Sequence, residues 1–194
     1  YDIYRHDYGD RITGTTTTLT SNSGVSNLFD ANFFVLTTAR NVYKCLDNDN
    51  NTASTVEPTG TSTTVLSTAD GYKWKYMYTL SASQQANFLS TDFMAVETNS
   101  TVSSAAVDGA IDVVKIKTAG SGGANGTHTG IAIRGDGSNG QVSVTVAGGV
   151  VTAVTVTNAG TGYTFGTISN AQIVAAGATS LTGAELDVII PPKG

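Results

Sequence analysis

The sequence predicts a mainly β protein with one short helix, in which an antiparallel β-sandwich or barrel-like domain precedes a glycine-rich β domain of two repeats. Three observations support this prediction. Charged residues make up 13% of the chain, against about a quarter in ordinary globular proteins. Thr, Val and Gly are abundant, which is typical of turn-rich β structure and not of a helical bundle. Residues 70–80 read DGYKWKYMYTL, a strand pattern with a bulky ring at every second position.

That strand has the densest aromatic pattern in the chain. Side chains alternate between the two faces of a strand, so four rings are expected on one face and lysines on the other, solvated face. The rings are those of Tyr72, Trp74, Tyr76 and Tyr78. Each ring can remove roughly 150–250 Å² from water, so we expect this face to form the core of the first domain. Phe33 and Tyr43 are further candidates for core or interface side chains. The alternative is that the rings form a docking platform.

The remainder of the first domain, residues 1–104, contains weaker signals. The segments Asn32–Thr38 and Val42–Asp47 are apolar runs separated by a short connection, which predicts a β-hairpin. Thr13–Asn27 is rich in Thr, Ser and Gly and is predicted to be a surface loop. Ser83 is a candidate N-cap for one short helix over Gln84–Leu89.

The second domain, residues 105–194, contains an internal repeat. A shift of 40 residues aligns residues 111–150 with residues 151–190, and the alignment acquires three extra residues before the last strand of the second copy. Each copy reads as strand, Ala-Gly-x-Gly turn, short strand, glycine-rich turn and strand, with the turns at Ala119–Gly122 and Ala159–Gly162. Units this short cannot bury an apolar face alone. The two copies are therefore expected to pack as one pseudo-symmetric domain.

The overall charge limits the classes of partner. The formal net charge is −5 and the isoelectric point is near 4.7. Sequence-independent binding of nucleic acid depends on many phosphate-neutralising Lys and Arg residues, so no nucleic-acid partner is expected. No apolar run approaches the roughly 18 residues of a membrane-spanning helix, and no membrane partner is expected.

The residues that carry chemistry are few, and the sequence predicts no enzyme, no metal site and no cofactor. His6 and His128 have no neighbours at metal-ligand spacing, and Cys45 has no nearby histidine that would activate its thiol. The segment Asp47–Asn51 begins like a calcium loop, but the sixth and twelfth positions hold Thr52 and Pro58 where an EF-hand requires Gly and Glu. We interpret it as a polar turn, and we interpret residues 134–137, Arg-Gly-Asp-Gly, as a turn between strands.

The first half of the chain resembles the baseplate wedge subunit of contractile-tailed phages of the T-even type, most closely the versions carried by marine cyanophages. The resemblance covers roughly residues 1–101 and rests on the order and spacing of several short motifs. These motifs are Arg5–Asp10 (RHDYGD), Asn32–Leu36 (NFFVL), Val42–Asp47 (VYKCLD), Glu57-Pro58 and Asp70–Tyr76 (DGYKWKY). It implies a non-enzymatic, dimeric structural protein of mixed β and α/β architecture that docks on neighbouring wedge subunits, with no catalytic residues.

Two functional hypotheses follow from these observations. The first is a virion component, most simply a tail baseplate wedge subunit that assembles in the host cytoplasm through contacts with other tail proteins and with its own copies. The second is a carbohydrate- or receptor-binding β module of a phage tail or fibre, in which Tyr72, Trp74, Tyr76 or Tyr163 stacks on sugar. Exposure of the rings distinguishes the two hypotheses, because a buried ring cannot stack on a ligand.

Overall fold

The computed structural model describes residues 2–5, 11–13, 33–49, 52, 54–90 and 94–190. For 2–5, 11–13 and Phe33 it describes the backbone and not the side chain. His6, most of the loop expected at Thr13–Asn27, and Asn50 and Asn51 lie outside the described residues. The chain divides into unit 1, Tyr1–Ala106, and unit 2, Val107–Gly194. The division lies two residues after the boundary that the change in composition suggests.

The described residues of unit 1 form one antiparallel sheet with the strand order β2-β1-β3-β4-β6-β5. Its strands are β1 (Asp2–Arg5), β2 (Arg11–Thr13), β3 (Phe33–Leu36), β4 (Asn41–Asp47), β5 (Leu66–Ser67) and β6 (Lys73–Thr79). The predicted hairpin is β3–β4, with Val35 opposite Tyr43. Its turn is closed by Thr37, which exchanges backbone hydrogen bonds with Asn41 and Arg40 at 2.9 Å. The aromatic strand β6 lies next to β4, which brings the two aromatic strands together.

The fold class is mainly β with antiparallel sheets, as predicted, but the layers of unit 1 differ from the prediction. The described part of this unit has one sheet where a sandwich or barrel was expected. Described residues of the segment between β4 and β5 cover the aromatic face instead, since Gly60 accepts a hydrogen bond from Tyr43 of β4 and Thr52 accepts one from Tyr72, just before β6. A polar loop can form this second layer because its carbonyl groups satisfy the buried phenols.

The described residues contain three short helices, where the sequence predicts one: α1 (Ala82–Phe88), α2 (Ser100–Ala105) and α3 (Asn170–Ala175). Helix α1 begins two residues earlier than predicted, because its N-cap is Ser81 and not Ser83. The Ser81 Oγ accepts from the Gln84 N–H at 3.2 Å, and the Gln84 Oε1 accepts from the Ser81 N–H at 2.7 Å. This is a capping box, which requires Gln or Glu three residues after the cap. None of the described helices is long and apolar enough to cross a membrane.

Unit 2 contains two antiparallel sheets, with the orders β11-β10-β8 and β7-β13-β12-β9. The strands are β7 (Val113–Ser121), β8 (Gly126–Ala132), β9 (Arg134–Gly135), β10 (Gln141–Ala147), β11 (Val150–Asn158), β12 (Gly166–Ile168) and β13 (Thr182–Ile189). Inward side chains of the strands, of α3 and of the connections form one mainly aliphatic core, whose most deeply buried members include Ile111, Val142, Val144, Ile173 and Leu181.

The two sequence repeats exchange their first strands. The last strand of the first repeat, β10, pairs with β8 of its own repeat and with β11 of the second. The last strand of the second repeat, β13, pairs with β12 of its own repeat and with β7 of the first. Each sheet is therefore completed by the other repeat, which explains how two short units bury one core.

The glycine turns have nearly the same backbone geometry in both repeats. Gly120 and Gly160 have φ of +68° and +63°, and Gly122 and Gly162 have φ of +77° and +74°. These left-handed values strongly favour glycine, because a Cβ atom would clash with the backbone. The repeats differ afterwards, since helix α3 lies at the positions that correspond to the end of β8 and β9.

Candidate functional site

The aromatic cluster of unit 1 consists of Tyr43, Tyr72, Trp74 and Tyr76, packed with Val35. The exposed fraction of these rings is 0% for Tyr43 and Trp74, 5% for Tyr72 and 6% for Tyr76. Tyr72 stacks on Trp74 with ring centroids 5.2 Å apart, and Tyr43 meets Tyr76 edge to face at 5.8 Å. The cluster is a packed core in which no ring presents a face to solvent.

Tyr78 does not belong to this cluster, so the prediction of four rings on one face is wrong. The pairing of β4 with β6 shifts between Tyr43–Tyr76 and Val42–Tyr78, which leaves Met77 as an extra residue. Such a bulge reverses the alternation that follows it. Tyr78 is buried instead with Leu36, Val42 and Leu80 in a second cluster.

The tyrosine hydroxyls of the aromatic cluster are bound inside the protein. The Tyr43 hydroxyl donates to the Gly60 carbonyl and accepts from Asn41 Nδ2 at 3.3 Å. Asn41 Oδ1 in turn accepts from Thr79 Oγ1 at 2.6 Å, and this hydroxyl shares a hydrogen bond with the Tyr76 hydroxyl at 2.7 Å. A continuous polar network therefore runs from Tyr76 to Gly60 along the sheet.

Two further tyrosines hold loops in the same way. The Tyr72 hydroxyl donates to the Thr52 carbonyl at 2.5 Å and the Tyr78 hydroxyl donates to the Ala95 carbonyl at 3.1 Å. Burial raises the pKa of Tyr72 and of Tyr78 to about 12, and it also raises the pKa of Tyr43. The phenols consequently remain protonated donors at any physiological pH.

The opposite face of β4 and β6 is less solvated than the sequence predicts. Lys44 is 7% exposed, and Lys73 and Lys75 are half-buried. Lys44 lies opposite Lys75 in the β4–β6 register. Burial lowers the pKa of Lys44, and the neighbouring charge of Lys75 lowers it further. The lysines thus belong to a packed face of the sheet and not to an open basic surface.

Asp70 joins the turn before β6 to the covering loop. Its carboxylate accepts from the Ser54 hydroxyl at 2.8 Å and from the Thr55 and Val56 N–H groups at 2.8 and 3.0 Å, and it also binds the Thr68 hydroxyl. Burial raises the pKa of Asp70, but these hydrogen bonds outweigh burial and hold the pKa well below its usual range. The carboxylate is a structural clasp whose donors come from within the chain.

The Arg-Gly-Asp segment of unit 2 is also internal structure. Arg134 and Gly135 form β9, paired with β12, where the sequence predicts a turn. The Asp136 carboxylate accepts from the Thr164 hydroxyl and from the N–H groups of Thr164 and Phe165 at 2.9 and 3.2 Å. The Thr164 hydrogen bonds lower the pKa of Asp136 to about 2. Its oxygens are engaged by the chain itself.

The remaining chemical groups do not form a site among the described residues. His128 places Nε2 3.0 Å from the Ala124 carbonyl, and the half-buried Cys45 donates to the Asp47 carbonyl at 3.4 Å. The Asp47–Asn51 segment includes a polar turn, in which Asp47 accepts from the Asp49 N–H. Within the described residues no group of three or more His, Cys, Asp or Glu side chains is arranged to hold a metal ion.

The aromatic residues that the sequence singles out do not all lie together. Tyr43, Tyr72, Trp74 and Tyr76 come together, Tyr78 lies in a second cluster, and the side chain of Phe33 lies outside the described residues. Tyr163 is 3% exposed in the core of unit 2, where its hydroxyl donates to the Ile133 carbonyl at 3.1 Å. The rings named for sugar stacking are thus buried and cannot contact a ligand.

Sequence reasoning missed one surface, the outer side of the sheet β11-β10-β8. These three strands contain no Asp, Glu, Lys or Arg. We call their outward side chains the neutral face; they are Thr127, Ser143, Thr145, Ala153, Thr155 and Thr157. The Thr127 and Thr145 hydroxyls are 3.2 Å apart, and Ser143 lies opposite Thr155. The alternation of Thr with Val in the sequence is the signal that identifies this face.

The other sheet of unit 2 is charged. Lys117 of β7 forms an exposed ion pair with Glu185 of β13 at 3.3 Å, and Asp187 and Arg134 lie on the same sheet. The two sheets thus share one core but offer surfaces of different polarity.

No protein-family model, curated protein or solved structure matches the chain.

Proposed function

We propose that this protein is a structural component of a phage virion, a tail baseplate wedge subunit that works through protein–protein contacts and not through chemistry. The observation that carries the proposal is the use of the aromatic residues. Four rings of unit 1 form a closed core, and their hydroxyls hold loops of the same unit. These side chains are therefore used to build the interior of the unit and are not available to bind a ligand.

The carboxylates support the same interpretation. Asp70, Asp136 and Glu57 each accept hydrogen bonds from Ser or Thr hydroxyls and from backbone N–H groups of a distant loop. Carboxylates in a catalytic pair are usually held near one another with shifted acidity and access to substrate. In this chain each of the three carboxylates binds a loop by itself and stabilises the conformation of that loop.

The contact surface in this proposal is the neutral face. Cores of protein interfaces are depleted in charged residues, because a charge that loses its water must find a partner. Thr, Ser and Ala also lose little side-chain entropy when they are covered. A neighbouring subunit can therefore cover this sheet surface without leaving a charge unpaired.

The partners in this proposal are other baseplate wedge and tail proteins, together with further copies of the chain in a homodimer or larger assembly. The location is the tail baseplate of the virion, with assembly in the host cytoplasm. The motif series of residues 5–76 supports this choice through its resemblance to wedge subunits. The net charge of −5 favours protein partners over nucleic acid.

Electron cryomicroscopy of the intact virion tests the proposal. We expect density for both units within the baseplate, in contact with neighbouring subunits. A position on a peripheral fibre, with a surface free for a receptor, would support the receptor-binding alternative. Absence of the chain from purified virions, measured by mass spectrometry, would contradict the proposal.

A pair of charge variants tests the role of the neutral face. Thr155→Lys places a charge on this face, whereas Thr118→Lys makes the same change at an exposed position of β7 on the charged sheet. We expect Thr155→Lys to reduce incorporation into particles at least about tenfold, because a desolvated charge without a partner costs more than the roughly 1.4 kcal/mol that tenfold represents. Thr118→Lys should be incorporated normally. Equal incorporation of both variants would exclude the neutral face as the contact surface.

A further inference from the structure

Unit 2 contains two Asn-Gly pairs, Asn125-Gly126 and Asn139-Gly140. Asn-Gly is the dipeptide in which the backbone nitrogen of the second residue most easily reaches the Asn side-chain carbon, because glycine has no Cβ to obstruct the approach. The local sequences are similar, Ala-Asn-Gly-Thr and Ser-Asn-Gly-Gln. A difference in reactivity between the two pairs would therefore come from their structural settings.

The Asn139-Gly140 pair is protected. Gly140 is buried, and its N–H donates to the Tyr163 hydroxyl at 3.1 Å. A Cβ atom at Gly140 would lie 2.8 Å from the Tyr163 hydroxyl oxygen, so the backbone has little room to move. Tyr163 is itself fixed by the hydrogen bond that its hydroxyl donates to the Ile133 carbonyl. The attacking nitrogen is thus held in a packed interior.

The Asn125-Gly126 pair lies in an open setting. Both residues are exposed, and Gly126 is the first residue of β8, in the last pair of the ladder opposite Val146. A Cβ atom at Gly126 would meet nothing closer than the His128 ring at 3.8 Å. Strand ends open more readily than strand centres, which exposes the backbone nitrogen to solvent base.

A hydrogen bond at Asn125 favours the reaction further. The Gly149 N–H, from the turn between β10 and β11, donates to Asn125 Oδ1 at 3.0 Å. Attack on the side-chain carbon places negative charge on this oxygen. A backbone donor already aimed at the oxygen stabilises that charge, as in an oxyanion hole.

We propose that Asn125 is a site of spontaneous deamidation and that Asn139 is protected from it. The Gly126 nitrogen loses its proton and bonds to the Asn125 side-chain carbon, the carbon–nitrogen bond of the side-chain amide breaks, and ammonia leaves. Water then opens the succinimide ring to give aspartate or isoaspartate. The reaction uses water alone as co-reactant.

The product changes the turn between β7 and β8. Aspartate adds a negative charge and keeps an oxygen for the Gly149 N–H. Isoaspartate lengthens the backbone by one carbon between the Cα atom of residue 125 and the Gly126 nitrogen. The preceding residue, Ala124, donates its N–H to the Thr179 carbonyl at 3.0 Å, and its carbonyl lies by His128. We expect the isoaspartate form to disrupt these contacts, so the age of the chain would affect the stability of unit 2.

Peptide mapping by mass spectrometry of the full chain tests the proposal, after incubation at mildly alkaline pH in the native state and in denaturant. The denatured chain supplies the intrinsic rate at each pair. We divide the native rate at each pair by the intrinsic rate of the same pair, and we expect this ratio to be at least about tenfold higher for Asn125 than for Asn139. The reason is that the core must open before Asn139 can react, which costs free energy, whereas the strand end at Gly126 is already exposed. Comparable protection of both pairs, or faster reaction at Asn139, would overturn the proposal.

A variant tests the reason for the difference. Tyr163→Phe removes the acceptor of the Gly140 N–H and should accelerate reaction at Asn139 while leaving Asn125 unchanged. Hydrogen exchange at the β10 amides shows whether the variant is folded. Acceleration at both pairs would indicate general loosening and not the loss of one hydrogen bond. No acceleration at Asn139 in a folded variant would overturn the protective role of Tyr163.

Discussion

The two units reach a buried core by different means. In unit 1 a single sheet is covered by a polar loop, and the interior consists of rings whose hydroxyls bind carbonyls of that loop. In unit 2 two sheets cover each other, and the interior consists mainly of Val, Ile and Leu side chains, with repeated glycine turns between the strands. Unit 1 therefore depends on particular side-chain contacts, whereas unit 2 depends on backbone geometry. Single substitutions in each unit can therefore distinguish these two dependences.

The largest effect is expected for Trp74→Ala in unit 1. Removing a fully buried indole leaves a cavity and should lower the free energy of unfolding by about 3–5 kcal/mol. Denaturant titration followed by circular dichroism measures the change. A near-neutral result would mean that the ring is not part of the core.

The corresponding test of unit 2 is Gly160→Ala. Gly160 has φ of +63°, and a Cβ atom there would lie 2.5 Å from the Ser138 carbonyl oxygen. Strain and clash together should cost about 2–4 kcal/mol. Gly162→Ala is the matched control, since φ is +74° but nothing lies within 4 Å of the added atom. Hydrogen exchange in β10 and β13 should show a larger loss for Gly160→Ala, and equal losses would contradict the role of close backbone approach.

A smaller effect is expected for Tyr43→Phe, which keeps the ring and removes the hydroxyl. The Asn41 amide would lose its acceptor and the Gly60 carbonyl its donor, at a cost of about 1–2 kcal/mol. Tyr78→Phe removes a single hydrogen bond, to the Ala95 carbonyl, and should cost less. Fluorescence-monitored unfolding compares the two variants. A larger loss for Tyr78→Phe would place the important network on the other face.

The smallest effect is expected from acid. The pKa of Asp70 is depressed in the folded chain, so its contribution to stability is complete above the unfolded pKa of about 3.9 and is lost as the pH falls below that value. Denaturation midpoints of the wild-type chain should therefore fall between pH values of roughly 4 and 2. Asp70→Asn should have a lower midpoint at neutral pH and a flatter acid dependence. The same slope in both proteins would assign the acid sensitivity to other carboxylates.

The burial of three rings on one face was predictable from the sequence because it follows from local alternation in β6. The position of Tyr78 was not, since the bulge at Met77 is determined by the register with β4, which is set by contacts distant in sequence. The N-cap of α1 could be predicted from the sequence, because Ser81 and Gln84 form a capping-box signature. Ser83 is also a residue type that commonly caps helices.

The position of the covering loop of unit 1 could not be predicted from the sequence. Thr-rich connectors have no apolar periodicity, and the acceptors for Tyr43 and Tyr72 are the backbone carbonyls of Gly60 and Thr52, which no side-chain pattern reveals. The repeat of unit 2 could be predicted from the sequence, because its left-handed turns strongly favour glycine at fixed positions of each copy. The exchange of β7 and β11 between the repeats could not be predicted from the sequence, because it is seen only in the pairing of the strands.

Collisional quenching of the Trp74 fluorescence tests whether the aromatic cluster is closed to solvent and to ligands, because Trp74 is the single tryptophan of the chain. For a buried Trp74 we expect blue-shifted emission that iodide and acrylamide do not quench in the folded chain, with no change on addition of neutral oligosaccharides. Red-shifted emission that is readily quenched, and that sugar protects, would contradict it and would make the rings a binding surface.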